Sequence, residues 1–185
     1  MTDLSYSWPL ILRSDQLTLR PLRLRDRRAW NRVRASNRDW LSKWEATRPN
    51  VPGEDPTRGL PSFRAMVRAH RHEGRALRSI TLTIWYQGNL VGQISMGGIT
   101  FGALRGAHIG YWIDQKFANL GITTQAVSIV TKYAFDELFL HRIEINCDRR
   151  MIHREEWLKR LVIFSKVREH GFCILMVNGE ITSVL

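Results

Sequence analysis

The hydrophobic pattern of residues 108–126 changes its period halfway, and this change constrains the fold more than any other feature of the sequence. In the first half, Ile109, Tyr111 and Ile113 alternate with residues of the opposite face, which is the period of a half-buried strand. Small and turn-forming residues follow, and from Thr124 the apolar residues recur at helical spacing. The stretch therefore predicts a strand, a tight loop and the N-terminus of a helix.

The predicted loop has the features of an anion site. Backbone N–H groups at the start of a helix have no intrahelical acceptor and lie at the positive end of the helix dipole. Such groups bind phosphate. No Lys or Arg lies between Phe117 and Ala126, so an anion here would be held mainly by backbone amides. A strand-to-helix turn that binds nothing has the same local pattern, and the glycine loop alone does not separate the two.

Three segments resemble the GNAT acetyltransferase superfamily, and in particular its RimJ/RimL branch, which acetylates N-terminal amines of ribosomal proteins. These segments are residues 109–114, 118–122 and 133–146. The superfamily signature is Q/R-x-x-G-x-G/A between a strand and a helix, and this chain has Ala118 at its first position and Thr123 at its last. The order of predicted elements follows the family from residue 17 to residue 146.

The resemblance implies an α/β (α+β) fold with a central mixed, mostly antiparallel, twisted sheet that is flanked by helices. It also implies that acetyl-coenzyme A (acetyl-CoA) is the cosubstrate and that no metal is used. We expect a single N-acetyltransferase domain over residues 1–185, because this length suits one domain. Within it we expect an atypical tail at residues 148–185.

By the same resemblance, the loop would hold the coenzyme diphosphate through its amides and the strand before it would line the pantetheine arm. The coenzyme-binding residues implied in this way are Tyr111, Trp112, Ile113, Asn119, Leu120, Gly121, Ile122, Thr123 and Thr124. A backbone N–H of the strand would polarise the thioester carbonyl. We predict no metal ligands.

Glu144 is the candidate general base. It is predicted on a strand next to the coenzyme strand, with Ile143 and Ile145 facing inward and the carboxylate facing the other way. An α-amine has a pKa near 8, so a modest base or a water chain is enough to deprotonate it. Two alternatives stay open, namely that Glu144 pairs with a nearby arginine such as Arg142 or that it faces solvent.

Two predicted helices precede this region and border the acceptor side in the family. Asp26 is predicted to cap the first, whose apolar stripe includes Trp30, Trp40 and Trp44. Such a stripe is typical of core packing, and Trp40 and Trp44 could in addition wall a peptide groove. Residues 48–61 are rich in Pro and Gly and predict a loop.

The remaining pattern predicts four further elements. They are a first strand at 17–20 that lies at an edge, a helix from Phe63 to about Gly74, a hairpin over 80–96 with its turn at 87–89, and a strand at 142–146.

The formal net charge of +11 reflects arginines that are concentrated between Arg13 and Arg38 and between Arg58 and Arg78. No basic-aromatic RNA motif or zinc knuckle accompanies them, so we expect no specific nucleic-acid binding and only weak attraction to the ribosome or RNA. The predicted partner is a protein or peptide N-terminus, with a ribosomal protein as the first candidate.

The sequence has neither a membrane-length apolar run nor the features of a signal peptide at its N-terminus. Its cysteines, Cys147 and Cys173, have neither metal nor redox spacing. We therefore expect a cytoplasmic protein that does not enter a membrane. Two alternatives to protein acetylation stay open: acetylation of a small-molecule amine, and an inactive remnant that at most binds the coenzyme.

The resemblance stops abruptly after Asn146. The family continues with R-P-E-N and closes near D-G-E-W-R-D-H. Cys147 to Ile152 can be back-translated so that the same bases, entered two positions later, read R-P-E-N-D. Val177 to Thr182 gives E-W-R-D-H in that same shifted frame. Our hypothesis is a single-nucleotide frameshift near Cys147; the alternative is an in-frame, divergent tail.

Overall fold

The computed structural model describes residues 6–42, 61–147, 172–177 and 180–184, with backbone alone for 146–147 and the last two ranges. The strands are β1 Leu12–Arg13, β2 Leu17–Arg20, β3 Ile80–Tyr86, β4 Asn89–Thr100, β5 Gly106–Ile113, β6 Arg142–Cys147, β7 Phe172–Val177 and β8 Glu180–Val184. The helices are α1 Arg27–Ser36, α2 Arg38–Ser42, α3 Phe63–Arg75 and α4 Ile122–Asp136. Two 3-10 turns, Leu24–Asp26 and Gln115–Phe117, precede α1 and α4.

The described strands form one sheet in which neighbours in the chain are neighbours in space. Two of the pairings, β5 with β6 and β6 with β7, are parallel, and the others are antiparallel. The predicted mixed, mostly antiparallel sheet flanked by helices is therefore confirmed.

Alternating residues of β5 separate the two faces of the sheet. Ala107 and Ile109 belong to the main core, which also contains the inward face of α4. Trp112, on the opposite face, belongs to a second cluster with residues of α1 and α3. We call this second cluster the tryptophan cluster; its members on the described residues are Leu22, Ala29, Trp30, Val33, Phe63, Met66, Val67, Trp85, Leu90 and Trp112.

Most predicted boundaries agree with the structure. The β3–β4 hairpin turns through Gln87 and Gly88, both with positive φ (47° and 80°), as a type I′ turn requires. Ile143 and Ile145 are buried in the main core, as predicted.

Four expectations differ from the structure. The second strand of the predicted hairpin is longer than expected, because β4 continues to Thr100. The strand β2 is not an edge strand, because the two-residue β1 pairs with it. The helix α4 begins at Ile122 rather than Thr124, since Gly121 in the left-handed conformation ends the loop there. Asp26 directly precedes α1, but its side chain makes no cap hydrogen bond to that helix. It instead accepts two hydrogen bonds from Arg20.

Some predictions fall outside the described residues. These are Trp44, all but the end of the predicted loop at 48–61, and residues 148–171 of the tail. No helix within the described ranges is both long and apolar enough to span a bilayer.

Candidate active site

The parallel strands β5 and β6 pair along only part of their lengths. Their register joins Gly106 with Arg142 and continues to Ile109 with Ile145. Beyond that point β5 and β6 no longer pair with each other. Gly110–Ile113 still pairs with β4 on its other side, and the end of β6 still pairs with β7. In the described part of the chain, the second half of β5 thus has one edge without a strand partner. We call this opening the β5–β6 gap.

The loop after β5 is shaped by two residues of positive φ. Asn119 has φ 68° and Gly121 has φ 75°, on either side of Leu120. A Cβ atom at Gly121 would meet no described heavy atom within 4 Å, and 61% of Leu120 is exposed. The loop is therefore open on its outer side, and glycine at 121 is favoured by its backbone conformation rather than by lack of space.

The helix α4 begins with backbone donors that have no side-chain cap. Its first hydrogen bond in this region runs from the N–H of Gln125 to the carbonyl of Gly121, at 3.0 Å. Gly121 is the N-cap residue and supplies no side-chain acceptor. The N–H groups of Ile122, Thr123 and Thr124 therefore precede the first helical bond, where the helix dipole favours an anion.

Residues at the junction of α1 and α2 form hydrogen bonds with the end of β5 and with the 3-10 turn that follows it. The Oδ1 atom of Asn37 accepts a hydrogen bond from the N–H of Gln115 at 2.9 Å, and Trp40 Nε1 donates to the carbonyl of Ile113 at 3.2 Å. Asp114 is buried and accepts from the N–H of Lys116 at 3.0 Å. The end of β5 is thus fixed by contacts with residues distant in the sequence. The sequence did not predict Asn37 as a tether, because a lone Asn carries no signal of its partner.

Trp112 lies on the face of β5 that α1 covers. Its ring makes an edge contact with Trp30, with centroids 5.5 Å apart. Arg34 Cζ lies 5.3 Å from the Trp112 ring centroid, a cation–π contact. An aromatic surface with one cation therefore lies directly beside the β5–β6 gap.

Glu144 lies on this same face, since its register partner on β5 is His108. The carboxylate Oε1 is 2.7 Å from Arg142 Nη2, and the two side chains are 29% and 38% exposed. The ion pair between Glu144 and Arg142, which was one of the two alternatives to a catalytic role, is therefore present in the structure. The carboxylate is partly exposed to solvent and lies on the same face of the sheet as Trp112.

The structure places the candidate coenzyme residues in two groups, at the end of β5 and around the start of α4. Tyr111, Trp112 and Ile113 lie in the half of β5 that pairs with β4 but not with β6, and residues 119–124 form the loop and the first turn of α4. Glu144 lies across the paired half of the two strands, level with His108. Among the described residues no three His, Cys, Asp or Glu side chains are grouped so that they could hold a metal ion.

Comparison with known proteins connects this geometry to a family. The family model described as "Acetyltransferase (GNAT) domain" matches residues 16–150. The "Putative ribosomal N-acetyltransferase YdaF" of Bacillus subtilis is 30% identical over 132 residues, which cover 71% of this chain and 69% of that protein. The "Probable N-acetyltransferase YjcK" of the same organism is 51% identical over 55 residues, a span of only 30% of either chain.

Among solved structures, that of Mycobacterium smegmatis RimJ in complex with CoA-disulfide superimposes with a TM-score of 0.68 at 30% identity. The match covers 89% of this chain and 78% of RimJ. The partly paired parallel strands, the uncapped start of α4 and these matches agree with one another. The chain belongs to the GNAT acetyltransferase family and is an N-acetyltransferase that uses acetyl-CoA.

Proposed function

We propose that the protein transfers the acetyl group of acetyl-CoA to the N-terminal α-amine of another protein, with a ribosomal protein as the first candidate. The name of YdaF refers to ribosomal N-acetylation, and RimJ is the structural relative at 30% identity. Ribosomal proteins are made in the cytoplasm, so we also propose that the enzyme acts there, as a single domain with an atypical tail.

One observation supports acyl transfer more than any other, namely the β5–β6 gap that leads directly to the uncapped start of α4. An unpaired strand edge offers backbone N–H and C=O groups to an extended ligand. A helix start with free N–H groups offers an anion site at the end of that edge. Together they match a molecule that has an amide-containing arm at one end and a diphosphate at the other.

In this proposal the coenzyme is held mainly by backbone. The amides of Asn119 to Thr124 bind the diphosphate, and the edge of Tyr111 to Ile113 binds the pantetheine arm. A backbone N–H of β5 polarises the thioester carbonyl. Because backbone amides bind the coenzyme, side chains such as Leu120 can remain exposed without loss of coenzyme binding.

The acceptor amine approaches from the face that carries Trp112 and Glu144. Glu144 removes a proton from the α-ammonium group, directly or through a water molecule. The amine nitrogen then forms a bond to the carbonyl carbon, and the carbon–sulfur bond breaks with its electron pair on sulfur. The acylated nitrogen loses its second proton, and the departing thiolate takes up a proton in exchange, directly or through water. Trp30, Trp40 and Trp112 border the route by which a peptide would reach this point.

Isothermal titration calorimetry with acetyl-CoA tests the first step. Binding with a stoichiometry near one is expected, and absence of heat together with absence of a thermal shift would leave only the inactive remnant. Incubation with N-terminal peptides and with small amines, followed by mass spectrometry, then identifies the acceptor class. Acetylation of peptides at their α-amine supports the proposal, whereas acetylation of small amines alone contradicts it.

A further inference from the structure

We call the face that carries Trp112 and Glu144 the acceptor face. The helices α1, α2 and α3 and the 3-10 turn before α1 carry exposed arginines. In the described residues these arginines are Arg25 in the 3-10 turn, Arg27, Arg28 and Arg32 in α1, Arg38 in α2, and Arg64, Arg68, Arg71 and Arg75 in α3. We call this set the arginine surface. Its α3 members recur at intervals of four, three and four residues, so they form one stripe along the helix, about 16 Å long.

The acidic residues of the same elements do not neutralise this surface. Asp26 is buried and bound to Arg20, and Glu73 is paired with Arg78 at 2.7 Å. Asp39 alone remains on the exposed side of these elements. None of the arginines in the surface forms an ion pair with a carboxylate among the described residues. The surface is therefore a concentrated positive field with guanidinium groups available to a partner.

This positive surface adjoins the acceptor face. Trp30 of α1 and Phe63 of α3 both belong to the tryptophan cluster together with Trp112. A polypeptide whose first residue lies at Trp112 would therefore be next to α1 and α3. Arg34 Cζ lies 5.3 Å from the centroid of the Trp112 ring, so guanidinium groups are present both at the site and on the outer sides of these helices.

We propose that the arginine surface binds an acidic segment of the acceptor protein, which follows the N-terminal residue to be acetylated. This inference rests on the proposed function and narrows its substrate class. Arginine forms bidentate hydrogen bonds with carboxylates. The described aromatic residues of α1 and α3 face the tryptophan cluster, so the surface lacks the exposed rings on which single-stranded nucleic acids stack. Acidic peptide is thus favoured over single-stranded RNA, and duplex RNA is included in the test.

The test uses peptides that share their first two residues and continue with glutamate, glutamine or lysine. Steady-state acetylation gives kcat/KM for each, and fluorescence anisotropy gives binding whether or not acetyl transfer occurs. We expect the acidic peptide to be preferred over the neutral one by about tenfold at low salt, falling to about twofold at 0.3 M salt because exposed charges are screened.

A pair of double variants locates the effect. Arg64→Gln with Arg68→Gln removes two charges from the surface, and we expect the preference for the acidic peptide to fall by about fivefold. Arg13→Gln with Lys132→Gln removes the same charge from exposed positions of β1 and α4, and we expect it to leave the preference within about twofold. Circular dichroism establishes that both variants are folded.

Equal kcat/KM for the acidic and neutral peptides would overturn the inference. An equal loss of the preference for the acidic peptide in the two double variants would also overturn it. Binding of duplex RNA that depends on Arg64 and Arg68 and is not displaced by the acidic peptide would also overturn it. If no peptide is acetylated but the acidic one still binds through Arg64 and Arg68, the proposed function fails and the docking surface stands.

Discussion

At the scale of single residues, the Arg20–Asp26 ion pair is the most enclosed of those among the described residues. The two side chains are 13% and 6% exposed, with Nη1 and Oδ2 2.7 Å apart. Arg20 Cζ also lies 4.1 Å from the ring centroid of Trp85. Burial alone would raise the pKa of Asp26, but hydrogen bonds from Arg20 and from the N–H of Arg23, with nearby positive charge, hold that pKa below its ordinary value.

We predict that Asp26→Asn lowers the free energy of unfolding by about 2–4 kcal/mol at pH 7, because it leaves the Arg20 guanidinium enclosed without its counter-charge. A carboxylate whose pKa is lowered on folding stabilises the folded state at pH values above its ordinary pKa near 4. This stabilisation is lost as the pH falls through the pKa that the carboxylate has in the folded state. The difference in free energy of unfolding between the wild type and Asp26→Asn should therefore become smaller below pH 4.

Urea denaturation at pH 7 and at pH 3 measures this effect. Glu73→Gln is the matched control, because it breaks the exposed Glu73–Arg78 pair and should hardly move the denaturation midpoint. If Asp26→Asn lowered the free energy of unfolding no more than Glu73→Gln does, the stabilising role of the Arg20–Asp26 pair would be contradicted.

A second prediction separates the two roles of Glu144. If it is the base, Glu144→Gln should lower kcat by about 10²–10³-fold without changing the affinity for acetyl-CoA. Arg142→Gln breaks the same ion pair but keeps the carboxylate, so kcat should stay within about threefold of wild type. Equal kcat losses in both variants, or an unchanged kcat in Glu144→Gln, would show that the pair is structural. Stopped assays with a peptide that the enzyme accepts give the required kcat values.

At the scale of elements, the segment from β5 to α4 shows what sequence patterns can predict. The alternation of Ile109, Tyr111 and Ile113 placed the strand, and β5 indeed ends at Ile113. The start of α4 was placed two residues late because the helical spacing of apolar residues is recognisable only from Thr124 onward. What fixes that start is the left-handed conformation of Gly121, a feature of the backbone that the pattern of side chains does not carry.

A third prediction tests the loop backbone. Gly121→Ala should lower stability by about 1–2 kcal/mol, because alanine is strained at φ 75°, and should weaken acetyl-CoA binding by about tenfold as the amides move. Gly88→Ala is the matched control, since Gly88 has φ 80° and is equally unobstructed but lies in the β3–β4 turn.

Thermal melts should show similar losses of stability for the two glycine variants, while calorimetry should show weaker coenzyme binding for Gly121→Ala alone. Equal acetyl-CoA affinities in the two variants would mean that the loop amides do not contact the coenzyme.

At the scale of the whole molecule, the β5–β6 gap depends on contacts that local sequence does not specify. Register pairs join Gly106–Ile109 to Arg142–Ile145, and strand patterns predict each element without predicting its partner. The family resemblance supplied the topology. It did not supply the tethers from Asn37 and Trp40, the Arg20–Asp26 pair or the strand β1, which is too short to have a period.

The tail gives a fourth prediction. The family match ends at residue 150, close to Cys147, where the hypothesis places a single-nucleotide frameshift. Resequencing the gene should reveal one base gained or lost near that codon, and the restored frame should encode R-P-E-N followed later by E-W-R-D-H. An unbroken frame that close relatives share would remove the hypothesis.

We propose that backbone amides between Ile113 and Ala126 bind the diphosphate of the coenzyme. Calorimetric titration of the wild-type protein with acetyl-CoA and with S-acetyl-pantetheine, which lacks the nucleotide and both of its bridging phosphates, measures what this binding contributes. We predict that acetyl-CoA binds at least about 100-fold more tightly, since a helix N-terminus and its loop favour the anion. Equal affinities for the two ligands, or no heat with either, would contradict the claim.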